Sequence, residues 1–374
     1  MRDRLEDFLL PIAAILAALL LFGVFAWFSA ASLTEVWALL FKGAFGSSFA
    51  WQNTLQRAAP LMLTALCVAL PMQAGLVVIG GEGALVLGGL ACAALPGLVP
   101  LPSNLAGTVL ICLAGAVAGA LWIMLTGWLR QARGINETIG SLLLAYIAIG
   151  LFKHAVEGPL RDPASLNKPS THTLAEGLQI RGMMGSDVHW GLLLGVVACG
   201  VLGLWLRMTR GGFALRVVGG NPRAAQLVGL PASRLILMAC ALGGACAGLA
   251  GAVEVAAVHT SANASLIAGY GYAGILVSFI ARHQPLAVPP VAILFGGFGA
   301  AGSLLQRRLG LPDASVQVLQ GIAFVLILAS EALRGQDWRA ALRLLELRHH
   351  KWPPAVEDQP EPETAIAAPS EAPA

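Results

Sequence analysis

Residues 74–89 read AGLVVIGGEGALVLGG, and the fold turns on how this stretch is read. Glu82 is its only charged residue, and no other charge occurs between Ala58 and Leu95. The 374-residue chain is 57% hydrophobic and 11% charged, whereas soluble domains carry about 25% charged residues. Its apolar residues fall in blocks near the length of about 20 residues that crosses a bilayer as a helix. The chain therefore reads as an all-α polytopic membrane protein, and a carboxylate within it should face protein or a water-filled path rather than lipid. Gly80, Gly81 and Gly83 suggest how it is tolerated. A break near residues 75–83 lets a new helix start beside Glu82, where free N–H groups and the positive dipole end favour an anion.

Working outward, about ten apolar segments are expected: 8–28, 58–76, 80–96, 105–127, 136–154, 188–207, 235–257, 267–281, 286–304 and 314–332. The first block lacks a clear basic lead and is read as a retained helix rather than a signal peptide. Loop arginines set the orientation. The loop at about 208–234, with its flanks, carries Arg207, Arg210, Arg216, Arg223 and Arg234 and no acid, so it is expected in the cytoplasm. The loop at 155–187 has no basic excess and is expected outside. Both termini then fall in the cytoplasm, although Arg307 and Arg308 land outside and count against the scheme. Residues 1–348 form the membrane domain, and the Pro- and acid-rich residues 349–374 read as a disordered cytoplasmic tail.

Catalytic signatures do not occur. No lysine follows a glycine, so there is no phosphate-binding loop, and no zinc or nucleophile pattern is present. No catalytic residue, metal site or cofactor is expected. The six cysteines (Cys67, Cys92, Cys112, Cys199, Cys240 and Cys246) lie in apolar blocks and read as packing residues. The repeats Gly115-xxx-Gly119 and Gly244-xxx-Gly248 should bring helix backbones together. In the basic loop, Asn221 can cap a short helix with Pro222 at its first position and Gly229 as its stop. This pattern suits a helix that docks into a soluble partner, where the bare topology rule explains only the arginines.

Four stretches carry a family resemblance: 58–89, 134–148 (GINETIGSLLLAYIA), 211–255 and 269–288 (GYGYAGILVSFIARHQPLAV). They resemble the permease subunits of bacterial ABC importers serving ribose, branched-chain amino acids and nucleosides, nearest the longer permease of nucleoside-type systems. The resemblance implies an ABC importer permease fold with glycine-broken helices, in the bacterial inner (cell) membrane. The implied partners are a second homologous permease, a cytoplasmic ATP-binding subunit with two ATPase domains, and an external solute-binding protein or lipoprotein. Lipid surrounds the chain, and no nucleic acid is involved. ATPase coupling would fall to Asn221, Pro222, Arg223, Ala224, Ala225 and Gly229. The translocation path would run by Gly75, Gly80, Glu82, Gly83, Asn136, Glu137, Tyr146, Gly269, Gly271, Tyr272 and Gly274. Val78, Ala84, Ala145 and Ala273 stand where the family pattern is polar, so the path is expected to be less polar. The implied cargo is a nucleoside or nucleobase-like solute, with a simple sugar or other small polar solute as the alternative. A different class, an ion-coupled secondary transporter, has only Glu82 and Glu254 in its favour. If Glu82 merely anchors a helix start, glutamine there should cost only the charge–dipole interaction, about 0.3–1 kcal/mol.

Overall fold

Residue 64 sits on a helix that is buried on every side. In the computed structural model, which describes residues 2–27, 32–165, 167–183, 185–312 and 314–332, all residues from Ala58 to Pro71 are buried. This helix, α3 (Ser48–Gln73), follows α1 (Arg2–Trp27) and α2 (Leu33–Phe45). Then come α4 (Gly81–Leu98), α5 (Leu105–Arg133), α6 (Glu137–Glu157), α7 (Gly191–Met208), α8 (Arg210–Gly220) and α9 (Pro222–Leu227). The order ends with α10 (Ala232–Val253), α11 (Tyr270–Ile280), α12 (Val288–Leu309) and α13 (Ser315–Ala332). No named strand occurs among the described residues. The expected tail, 349–374, lies outside them, as does the end of the membrane domain at 348.

Glycine sets how the central helices meet. On α10, Gly244 and Gly248 face Gly115 and Gly119 of α5, and a methyl group at any of the four would strike backbone across the interface. Gly88 of α4 abuts the backbone of Gly248, and Gly251 abuts that of Leu85. Three helices thus approach at backbone distance, which dispersion alone can hold in lipid. All six cysteines are free and buried.

Seven helices are long and apolar enough to cross a membrane, while the stretches 13–26, 264–280 and 315–330 are shorter. Among the described residues, seven of the expected ten or so segments thus reach spanning length and three do not. At 1.5 Å per residue α11 is only about 16 Å long, roughly half of a 30 Å hydrocarbon core. Its length is cut because the preceding chain turns through Gly269, at φ +81°.

Other departures have local causes. α3 starts ten residues before the expected 58, since Ser47 caps it by accepting from Ala50 N–H at 3.1 Å. Its polar first turns mask the span in the sequence. α2 and α8 form where apolar periodicity alone suggests loop. Residues 254–259 form a π-helical turn that ends at Thr260, in the left-handed region at φ +56°. The 155–187 segment lies along residues 256–262. Its Thr171, Leu174 and Ile180 N–H groups donate to the carbonyls of Ala262, Thr260 and Ala256 at 3.0, 2.7 and 2.9 Å.

The packing gives a direct test. Gly248→Val should destabilise the chain by about 1–3 kcal/mol through overpacking, read as a lower unfolding temperature in detergent. Gly150→Val, where no atom lies within 4 Å of the added carbon, should leave it unchanged.

Candidate translocation site

Glu82 sits in the first turn of α4 and is fully buried. Its carboxylate does not serve its own helix alone. Oε1 accepts from Gly269 N–H at 2.8 Å and Oε2 from Gly271 N–H at 2.6 Å, so the carboxylate closes the start of α11. Both oxygens are occupied as acceptors, and the positive ends of two interrupted helices converge on one negative charge. Gly271 must be glycine here, because a side-chain carbon would overlap the Glu82 backbone. Gly274 lies equally close to Thr64, whose hydroxyl is 3.0 Å from the Tyr270 carbonyl. Thr64 is nine residues from the end of α3, so the junction lies about 14 Å inside the bundle.

The chain reaches this depth through an extended stretch whose backbone is satisfied by α6. Gly75, at φ +77°, ends α3: Gly75 N–H donates to Met72 O at 3.0 Å and Leu76 N–H to Pro71 O at 3.1 Å. This is the Schellman arrangement that a left-handed glycine permits. Beyond it, Ile79 N–H donates to the Ser141 hydroxyl at 3.0 Å, and the Thr138 hydroxyl donates to Val77 O at 3.0 Å.

A cavity of about 560 Å³ opens beside the junction, bordered by Ile79, Glu82, Leu142, Gly269, Tyr272, Ala273, Gln317, Gln320 and Phe324. A second cavity, of about 220 Å³, shares Gly269, Ala273, Gln317 and Gln320 and extends to Arg57, Tyr270 and Phe295. The larger cavity of about 630 Å³ between α5, α7 and the 177–181 segment lies away from both glycine breaks and is mostly apolar.

Of the path residues inferred from sequence, Glu82, Gly269 and Tyr272 border the larger of the two adjoining cavities. Gly80 and Gly83 instead pack on Ser141 and Ala145 of α6, and Gly75 touches Gly219. Asn136 caps α6 by accepting from Thr138 and Ile139 N–H at 2.9 and 3.2 Å. Glu137 pairs with Arg130 at 2.5 Å. Tyr146 is 61% exposed and borders neither cavity, though it lies near Tyr272. The expectation that Val78, Ala84 and Ala145 face the path is corrected: all three are fully buried in helix contacts, and only Ala273 borders the cavities. Sequence reading misses Arg57, Gln317, Gln320 and Phe324. Gln317 and Gln320, three residues apart on an apolar helix, are the available signal.

The basic loop is two helices. Asn221 Oδ1 accepts from Arg223 and Ala224 N–H at 3.0 and 3.1 Å, and Pro222 takes the first helical position of α9. Gly229 N–H donates to Gln226 O and Leu230 N–H to Ala225 O, which ends the helix at a left-handed glycine. Ala225 is buried beneath it, while Leu227 and Val228 are 89% and 73% exposed.

The family model described as "branched-chain amino acid transport system / permease component" matches residues 50–328, and the chain belongs to that family. It is a multi-pass permease subunit of an ABC importer. Such a subunit does no catalysis itself and works with an ATPase and a substrate-binding protein. It is 32% identical to the glucose ABC transporter permease protein TsgB13 of Haloferax volcanii, over 86% of this chain and 87% of that one. It shares 26% identity with the guanosine permease protein NupP of Bacillus subtilis, over 89% and 97% of the two chains. The nucleoside permease protein NupB of Lactococcus lactis is also 26% identical, over 85% and 90%. Family membership removes the ion-coupled alternative, whose main support, Glu82, is engaged by backbone.

The junction revises the expected cost of changing Glu82. Glutamine offers one acceptor and turns an N–H toward the other glycine N–H, so Glu82→Gln should lose a charged hydrogen bond, about 1.5–3 kcal/mol. Glu82→Ala should cost more. Unfolding temperatures in detergent should rank wild type, Gln and Ala in that order, and uptake should fall in step with folded protein. Full stability of the Gln variant with uptake abolished would point to cargo contact instead.

Proposed function

We propose that this subunit imports a nucleoside or nucleobase-like solute across the bacterial inner membrane, through a path completed by a second, homologous permease. The carrying observation is the makeup of the adjoining cavities. Ile79, Leu142 and Phe324 supply apolar walls, Tyr272 an aromatic edge, and Gln317 and Gln320 paired amides. A flat heterocycle can stack on such walls and bond at its rim. The nucleoside and guanosine permeases among its relatives support the same reading. The glucose permease at 32% identity favours a sugar as the second reading. A hexose, however, needs partners for hydroxyls all around its ring, and these walls offer few.

Both termini, α8 and α9 face the cytoplasm in this proposal, and the 155–187 segment faces an external binding protein or lipoprotein. Arg307 and Arg308 then have a reason to lie outside, because in the last turn of α12 they complement its dipole. α9 is the coupling element. ATP binding would close a partner with two ATPase domains and draw on Asn221–Gly229. Leu227, the last residue of this anchored six-residue helix, and Val228 just after it are exposed and supply the apolar contact for a groove of that partner.

Uptake and co-purification test the two halves of this reading. In cells carrying the whole system, unlabelled nucleosides should compete with labelled guanosine uptake, whereas glucose, ribose and leucine should not. Competition by glucose alone would assign the sugar reading. Leu227→Asp with Val228→Asp should leave the subunit in the membrane but abolish co-purification with the ATPase. Undiminished association would remove α9 from the coupling role.

A further inference from the structure

Arg57 lies within α3, nine residues beyond its first residue, and so about 14 Å along the helix. The amide of its neighbour Gln56 donates to the Asp187 carbonyl, so Arg57 sits level with the 155–187 segment. Its stem rests against α12 at Gly299, where an added side-chain carbon would meet Arg57 Cδ at 3.4 Å. Tyr270, at the head of α11, borders the same cavity as Arg57. Glycine on α12 thus makes room for the stem. The residue is nevertheless exposed and borders the cavity of about 220 Å³, with Gln317 and Gln320 as the other polar side chains besides Tyr270. No carboxylate borders this cavity.

We propose that this cavity is a cargo half-site, in which Arg57 with Gln317 and Gln320 selects a 6-oxopurine nucleoside or base over its 6-amino counterpart. The inference rests on the nucleoside reading above. A guanidinium has donors and no acceptor, so the solute must bring acceptors to it. The fork geometry matches two acceptors side by side on a planar ring, and the O6/N7 edge of guanine presents them. Adenine places an amino donor where the 6-oxo acceptor would be, which sets donor against donor. The glutamine amides can donate or accept and adapt to either ring, so discrimination falls to Arg57.

The test uses the complete importer in proteoliposomes, with its own binding protein, and compares labelled guanosine and inosine uptake with adenosine uptake. The readout is the ratio of 6-oxo to 6-amino uptake within one preparation, which cancels differences in protein amount and folding. Arg57→Gln should lower that ratio about tenfold, the size of one lost bidentate pair. Arg57→Lys keeps the charge but loses the fork, and should lower it by a smaller factor. An unchanged ratio in both variants, with purines still imported, overturns the selector role and leaves the nucleoside reading standing. If the wild-type system imports glucose and no purine, the nucleoside reading falls and this inference with it.

Discussion

The pairing of Glu82 with the N–H groups of Gly269 and Gly271 is the contact on which the rest of the architecture depends. Two helices begin at that point, α4 and α11, and each brings unsatisfied N–H groups and a positive dipole end into an apolar interior. Each start needs an acceptor for those groups. One carboxylate meets the demand of α11 from within the first turn of α4. The arrangement works only if the backbones nearly touch, which explains Gly271 against Glu82 and Gly274 against Thr64. Because α11 covers only about half of the hydrocarbon thickness, the column beyond its start holds an irregular segment instead of a helix. The cavities bordered by Gly269 and Ala273 lie there. Irregular backbone at membrane depth is tolerated where it is buried in protein or lines a cavity, and this chain places it at both.

How much of this the sequence discloses depends on what each residue type reports. Runs of apolar residues report spans, and the local grammar of caps reports short helices, so Asn221, Pro222 and Gly229 can be read in advance to within a residue. Glu82 can be placed at a helix start because a lone carboxylate in lipid has few other uses. That its partner is a different helix, 187 residues away, cannot be read. Glycine reports only that backbone comes close to something. Gly80 and Gly83 lie against α6, Gly75 lies against Gly219, and Gly269 borders a cavity, yet all four look alike in the sequence. Val78, Ala84 and Ala145 mislead for a related reason. A polar residue in a family pattern does not say which way its position faces, and here three of those positions face neighbouring helices.

The residues that do border the cavities are hidden by their setting. Arg57 sits at the edge of a charge-free block and passes for a loop arginine until Ser47 is seen to cap the helix ten residues earlier. Gln317 and Gln320 lie on α13, whose other residues give no sign of a polar face. Amphipathicity is a weak guide in this chain, because helices surrounded by lipid and by protein are apolar on both sides. The polar side chains that matter are therefore few, isolated and set by tertiary contacts.

Those contacts also connect the cavity to the far end of the molecule. α8 ends at Gly220, and its Gly219 lies in backbone contact with Gln73 and Gly75 where α3 stops. Nothing but backbone stands between them, so a displacement of α8 and α9 meets the end of α3 without a flexible side chain to absorb it. From Pro71 back to Ala58 the helix is buried on all sides, and close-packed interiors transmit strain rather than dissipate it. Along that one rigid element lie Thr64, which holds the Tyr270 carbonyl, and Arg57, which borders the same cavity as Tyr270. Tyr270 opens α11, and its neighbours on both sides are bound to Glu82. In the proposed coupling, a pull on α9 would reach the cavity wall through two backbone contacts and one buried helix, and the glycines at 75, 219 and 271 allow those contacts to be direct.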